Sequence, residues 1–177
     1  IYLFIRFFCT PGVDNIVSIS PTYGMYKVCA GVNDVEYREL PLNNDFGFDN
    51  QDLLALTDCN TKLIFVCNPN NPTSLSLSTN QLRELASKFE GLLVIDEAYI
   101  EFSKNQSMAQ YIDEFDNIII LRTLSKAYGM AGLRIGSALA NQEIINLLSN
   151  VKYPYNIDVL SEWAAVCRLM TRSNAKL

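Results

Sequence analysis

The chain contains no histidine. That absence removes Ser-His-Asp and Cys-His nucleophile systems, along with every metal site built on imidazole. Any catalysis must rest on lysine, tyrosine, carboxylates or a cofactor. Positive charge is also scarce: 14 Lys and Arg against 19 Asp and Glu leave a net charge of −5. A nucleic-acid partner therefore has no electrostatic footing. No apolar run exceeds strand length, which leaves no membrane-spanning helix. No G-x-G-x-x-G follows the first strand-like run, which disfavours a Rossmann-type nucleotide site. The cysteines number five and form no C-x-x-C pair, so buried, reduced thiols in a cytoplasmic protein are expected. A signal peptide fits the opening IYLFIRFF poorly, because no basic segment precedes it and Arg6 interrupts it.

What is present suffices for one ordinary core: 177 residues, 49% hydrophobic and 19% charged. Ile1, Phe4, Ile5 and Phe8 share a face at helical spacing, and Thr10-Pro11-Gly12 ends the run. The opening reads as the back half of a core helix, so the chain reads as a fragment that starts inside a domain. Strands are expected at 15–20, 34–40, 62–67, 92–96, 117–122 and 135–140. Helices are expected near 23–30, 49–56, 79–89, 107–114, 142–151 and 159–170. Ser78-x-x-Gln81 is a capping box, followed by Leu82, Leu85, Ala86 and Phe89 at helical spacing. Strands alternating with helices predict a mainly parallel sheet with helices on both faces, an α/β three-layer sandwich. The LLVI and IIIL runs lack polar alternation, as strands covered on both sides do.

Ligands of such sheets bind beyond the carboxyl ends of the strands. There the chain delivers Pro21-Thr22-Tyr23-Gly24, then Asn68-Pro69-Asn70-Asn71-Pro72-Thr73, then Asp96-Glu97-Ala98-Tyr99, then Thr123-Leu124-Ser125-Lys126. Each piece has an ordinary reading. NPNNP composes a turn, Asp96 suits a helix cap, Tyr23 and Tyr99 suit aromatic packing, and Lys126 and Arg134 suit solvated surface charges. Those readings do not predict the set or its order. Pyridoxal 5′-phosphate (PLP) asks for all of them together: a lysine for a Schiff base, a carboxylate facing the pyridine nitrogen, donors for phosphate and ring oxygen, and a flat neighbour. Lys126 supplies the amine and Asp96 the pyridine partner. Ser125 and Arg134 suit the phosphate, Asn71 and Tyr99 the ring oxygen, and Tyr23 the ring face.

The order NPNNPT, DEAYIEF, RTLSKAYGMAGLRIG resembles the fold-type-I, class-II PLP-dependent aminotransferases. PTYGMY at 21–26, VIDEAYIEF at 94–102, RTLSKAYGMAGLRIG at 122–136 and YPYNI at 153–157 most resemble the histidinol-phosphate aminotransferase subfamily. The resemblance implies a large PLP-binding domain over residues 1–150, with its N-terminal part missing, and a segment 151–177 leading toward an absent small domain. It implies a cytoplasmic homodimer acting in histidine biosynthesis on a small-molecule amino donor and a 2-oxo acid, 2-oxoglutarate. Membranes and nucleic acids are not expected partners. Lys126 is implied as catalytic base and acid, its pKa lowered by burial and by Arg134. The family usually has Gly where this chain has Ser74, which bears on loop conformation. Alternatives from the same group are an aromatic aminotransferase and a threonine-phosphate decarboxylase. The alternative from another class is a non-catalytic fragment that binds no cofactor.

Overall fold

In the computed structural model, which describes residues 1–173, six strands form one sheet in the order β2-β1-β3-β4-β5-β6. They are β1 (Asn15–Ser20), β2 (Glu36–Pro41), β3 (Thr61–Cys67), β4 (Leu92–Asp96), β5 (Ile118–Thr123) and β6 (Gly136–Leu139). The first five are mutually parallel, and β6 runs antiparallel to β5. The helices are α1 (Tyr2–Phe8), α2 (Met25–Val32), α3 (Asn50–Ala55), α4 (Thr79–Lys88), α5 (Gln142–Val151) and α6 (Val159–Ser173). No helix among the described residues is long and apolar enough to cross a membrane. The last four residues of the 151–177 segment lie outside the described residues.

The period of two along each strand divides the core into two layers. Ile16, Leu63, Phe65, Val94 and Ile119 face one side and pack with Phe4 and Ile5 of α1, Tyr26 and Ala30 of α2, and Ile144 and Leu148 of α5. Val17, Ile64, Val66, Leu93, Ile95, Ile118 and Ile120 face the other and meet Leu53 of α3 and Leu82, Leu85 and Ala86 of α4. Both faces are covered, so the uninterrupted apolar runs are what the architecture requires. Burial of one such Leu or Ile side chain stabilises by about 1.5–3 kcal/mol. The capping box at the start of α4 forms as its sequence predicts: Ser78 Oγ accepts from the Gln81 N–H, and the Gln81 side chain accepts from the Ser78 N–H.

Three expectations need correction. Residues 107–114 form a 3₁₀ turn over Met108–Tyr111 and no α-helix. The segment is pinned at Ser107–Met108 by the Glu97 carboxylate and at Asn117, whose amide donates to the carbonyls of Ala86, Phe89 and Gly91. The short span between them closes with tighter turns. Helix α2 starts at Met25, two residues after the expected Tyr23, so Tyr23 and Gly24 stay in the bend at the strand end. Only Cys9, Cys29 and Cys67 are buried, whereas Cys59 and Cys167 are exposed free thiols.

The amino-terminal rim of the sheet is tied by Asp58. Its carboxylate accepts from Asn15 Nδ2 at 2.9 Å, Arg38 Nη1 at 2.8 Å and the Asn60 N–H at 2.9 Å. These hydrogen bonds, that of Asn15 foremost, hold the carboxyl well below its ordinary value of 3.8. A depressed folded-state pKa contributes stability above the unfolded value, and that contribution is lost as the pH falls through the folded one. The resistance of the wild type to urea unfolding should therefore fall as the pH drops below 3.8. Asp58→Asn should flatten that acid limb; an unchanged limb would refute the assignment.

Candidate active site

The carboxyl ends of β1, β3, β4 and β5 open on one side of the sheet, and two loops are fastened there by side chains. Thr22 Oγ1 donates to Asn70 Oδ1 at 2.7 Å, while Asn70 Nδ2 donates to the Pro21 carbonyl at 3.0 Å and to Thr73 Oγ1 at 2.9 Å. These bonds clamp the Pro-Thr-Tyr bend after β1 onto the NPNNP loop after β3, setting Tyr23 beside Asn71. The chain between β5 and β6 is closed by the Leu124 N–H on the Ile135 carbonyl and the Met130 N–H on the Leu124 carbonyl. Gly129 turns there at φ +69°, and Arg134 itself takes the left-handed conformation at φ 55°. Ser74 also adopts positive φ, at 62°. A serine stands in the backbone geometry that glycine takes without strain.

Tyr23, Asn71, Asp96, Tyr99, Ser125, Lys126 and Arg134 all line a single cavity of about 280 Å³. Cys67, Arg122 and Thr123 share its wall. Asp96 lies at the floor, 7% exposed, and Lys126 at the solvent side, its Nζ 5.1 Å from the centroid of the Tyr99 ring. An amine, a carboxylate, phenols, a hydroxyl and a guanidinium thus converge on a space of small-molecule size. The set is chemically matched to an aldehyde, a ring nitrogen and a phosphate on one ligand.

Electrostatics separates floor from rim. Burial pushes the Asp96 carboxyl above its ordinary value, opposed by the Tyr26 hydroxyl, the Ala98 N–H and Lys126. Burial likewise pushes the Cys67 thiol up to about 12, so it stays neutral at the wall. Lys126 departs from expectation. It is exposed, and its pKa is raised, first by its hydrogen bond with Tyr99 and then by charge interaction with Tyr99, Tyr23 and Asp96. The lowering by burial predicted from sequence is present but outweighed, and the charged and polar groups acting on the amine are phenols and a carboxylate rather than Arg134.

Three residues at the site escaped the sequence reading. Tyr26 is fully buried and donates its hydroxyl to Asp96 Oδ2 at 2.8 Å; its place in PTYGMY, three residues after Tyr23, was the available signal. Glu97, also fully buried, accepts from Ser107 Oγ at 2.6 Å, the Met108 N–H at 2.7 Å and Arg122 Nη1 at 3.1 Å. Arg122 Nη2 reaches Glu101 at 2.6 Å. Burial pushes the Glu97 carboxyl up, opposed by the Ser107 hydroxyl, the Met108 N–H and Arg122. Strand alternation sends Asp96 and Glu97 to opposite faces, which the sequence carries; their partners it does not.

The chain belongs to the aminotransferase class I and II family, whose model matches residues 1–174. It is 49% identical over 164 residues to the histidinol-phosphate aminotransferase of Bacteroides fragilis strain YCH46, a match covering 93% of this chain and 48% of that one. The chain spans about half the length of the curated relatives it matches. Its fold is shared with the histidinol-phosphate aminotransferase of Sinorhizobium meliloti solved with pyridoxal 5′-phosphate, at TM-score 0.88, 23% identity, and 98% and 48% coverage of the two chains. L-threonine-O-3-phosphate decarboxylase of Porphyromonas gingivalis matches at TM-score 0.81 and 22% identity, covering 99% of this chain and 51% of that one. The expected α/β three-layer architecture is therefore the PLP-dependent transferase fold.

Proposed function

We propose that this chain is the cofactor-bearing part of a PLP-dependent aminotransferase that takes histidinol phosphate as amino donor and 2-oxoglutarate as acceptor. The observation that carries the reading is the convergence of Lys126, Asp96, Tyr23, Asn71, Tyr99, Ser125 and Arg134 on one cavity. The 49% identity to the Bacteroides enzyme favours this donor. PLP, when bound, supplies a conjugated ring that draws electrons from a breaking bond at the substrate α-carbon.

The residues divide the remaining work. Lys126 is the attachment amine and, when free, carries a proton to and from the substrate. Its raised pKa means that a proton must first leave it. With PLP bound, Asp96 would face the ring nitrogen, Ser125 and Arg134 would hold phosphate, Asn71 and Tyr99 would donate to the ring oxygen, and Tyr23 would cover the ring. In the same reading residues 1–150 form the cofactor-binding unit, and 151–177 lead toward a substrate-gripping domain. Free thiols at all five cysteines support a reducing, cytoplasmic setting.

The test is the whole protein with PLP, offered histidinol phosphate, phenylalanine and threonine phosphate in turn with 2-oxoglutarate. Glutamate should form with histidinol phosphate at a kcat/KM about 100-fold or more above the others. Carbon dioxide release from threonine phosphate, or faster turnover of phenylalanine, would overturn the choice of donor. No PLP uptake at all would overturn the class.

A further inference from the structure

Behind the floor of the cavity, Asp96 is held by a tyrosine that does not itself line the cavity. Asp96 closes β4 with both carboxylate oxygens engaged: Oδ1 accepts the Ala98 N–H at 3.1 Å, and Oδ2 accepts the Tyr26 hydroxyl at 2.8 Å. Tyr26 comes from α2, on the far side of β3, and is wholly buried. Its ring is stacked on Phe65 of β3, with centroids 4.9 Å apart and planes inclined by 23°. The edge of Tyr23 meets it at 5.7 Å and 86°. Held on two sides by aromatic rings and shielded from water, the phenol donates to Asp96, with the Cys67 side chain as its other polar neighbour.

We propose that Tyr26 is a positioning residue that holds Asp96 as the carboxylate and thereby assigns the proton of the Asp96–ring nitrogen pair to the nitrogen. The proposal rests on the PLP reading above. A carboxyl group and a pyridine nitrogen in contact share one proton between two forms: neutral acid with neutral ring, or carboxylate with pyridinium. A buried, low-dielectric floor favours the neutral form, because separated charges lose solvation there. A hydroxyl donating to the far oxygen bonds the carboxylate more strongly than the neutral acid, which tips the balance the other way. Only the protonated ring draws electrons well. The geometry therefore links a tyrosine that never touches the ring to the electron demand of the ring.

The phenol is suited to this role because it does not ionise in competition. Burial, and then the neighbouring Asp96 charge, push its pKa well above the ordinary 10.0. The Ala98 N–H donates to the other oxygen, so the carboxylate is oriented from two directions and has no free rotation.

The experiment uses the whole protein loaded with PLP labelled with ¹⁵N in the ring, as wild type, Tyr26→Phe, Asp96→Asn and the double variant. Phe keeps the stack on Phe65 and removes only the hydroxyl. The wild-type ring nitrogen should show the chemical shift of a pyridinium. In Tyr26→Phe it should move toward the neutral-pyridine value, corresponding to about a 10- to 100-fold change in the ratio of the two forms. In the Asp96→Asn background the tyrosine substitution should move it no further. A wild-type shift in Tyr26→Phe overturns the proposal, as does an equal change with Asp96 already replaced, which would assign the effect to packing. A wild type that takes up no label overturns the PLP reading and this proposal with it. The bound label therefore tells the two failures apart.

Discussion

Lys126→Ala abolishes borohydride-stable attachment of PLP and lowers transamination by the whole protein about 10⁴-fold, the upper range for a general acid–base group. Lys126 lies on the lining of the cavity with its amine near Tyr99. The chain has lysines elsewhere, so the location of the adduct is the decisive readout. After reduction and peptide mapping, the pyridoxyl group should sit on the peptide containing Lys126 and disappear in the alanine variant. Lys126→Arg separates charge from nucleophilicity: a guanidinium keeps the cation but does not deprotonate in proteins. It should be as inactive as alanine. Because Tyr99 raises the lysine pKa, attachment by free PLP should accelerate with rising pH, as the amine loses its proton. Label spread over surface lysines, or an active arginine variant, would remove Lys126 from the mechanism.

Glu97→Ala should destabilise the fold by about 3–5 kcal/mol, the range for breaking a buried ion pair from one side. The wild-type carboxylate is shut off from solvent. Its removal strands three donors, the Ser107 hydroxyl, the Met108 N–H and one nitrogen of Arg122. Arg122 retains Glu101, which limits the loss. Glu97→Gln keeps an acceptor for the Met108 N–H and should cost less, about 1.5–3 kcal/mol, the worth of hydrogen bonds to a charged group. Arg122 also lines the cavity, so affinity for PLP should fall in the alanine variant. Urea unfolding of the cofactor-free protein measures the first effect and PLP titration the second. A loss below about 1 kcal/mol in the alanine variant would mean that the cluster is solvated and not a support for the site.

The strands were legible because covering both faces of a parallel sheet demands uninterrupted apolar runs, and LLVI and IIIL are such runs. Helix α4 was legible because its cap and its apolar spacing are local features. The 3₁₀ turn at Met108–Tyr111 was not, because Glu97 and Asn117 set it from outside the segment. The left-handed Ser74 could be suspected only from the glycine usual in the resembled family. The exposure of Cys59 and Cys167 contradicts their hydrophobic character and follows from their positions on a turn and on the outer face of α6.

For the site, the sequence by itself determined which groups stand at the strand ends, since Tyr23, Asn71, Asp96, Tyr99, Ser125 and Lys126 each follow an apolar run that must terminate at the same rim. Arg134, just before the antiparallel β6, is returned to that rim by the β5–β6 connection, and all seven line one cavity. The tertiary structure alone decided their state. The lysine pKa is raised because phenols and a carboxylate face it, and Asp96 is engaged by a tyrosine from a helix 70 residues earlier in the chain. Order along the chain fixes what each strand delivers; proton affinity depends on burial and on neighbours brought in from distant segments, and those exist only once the sheet is assembled.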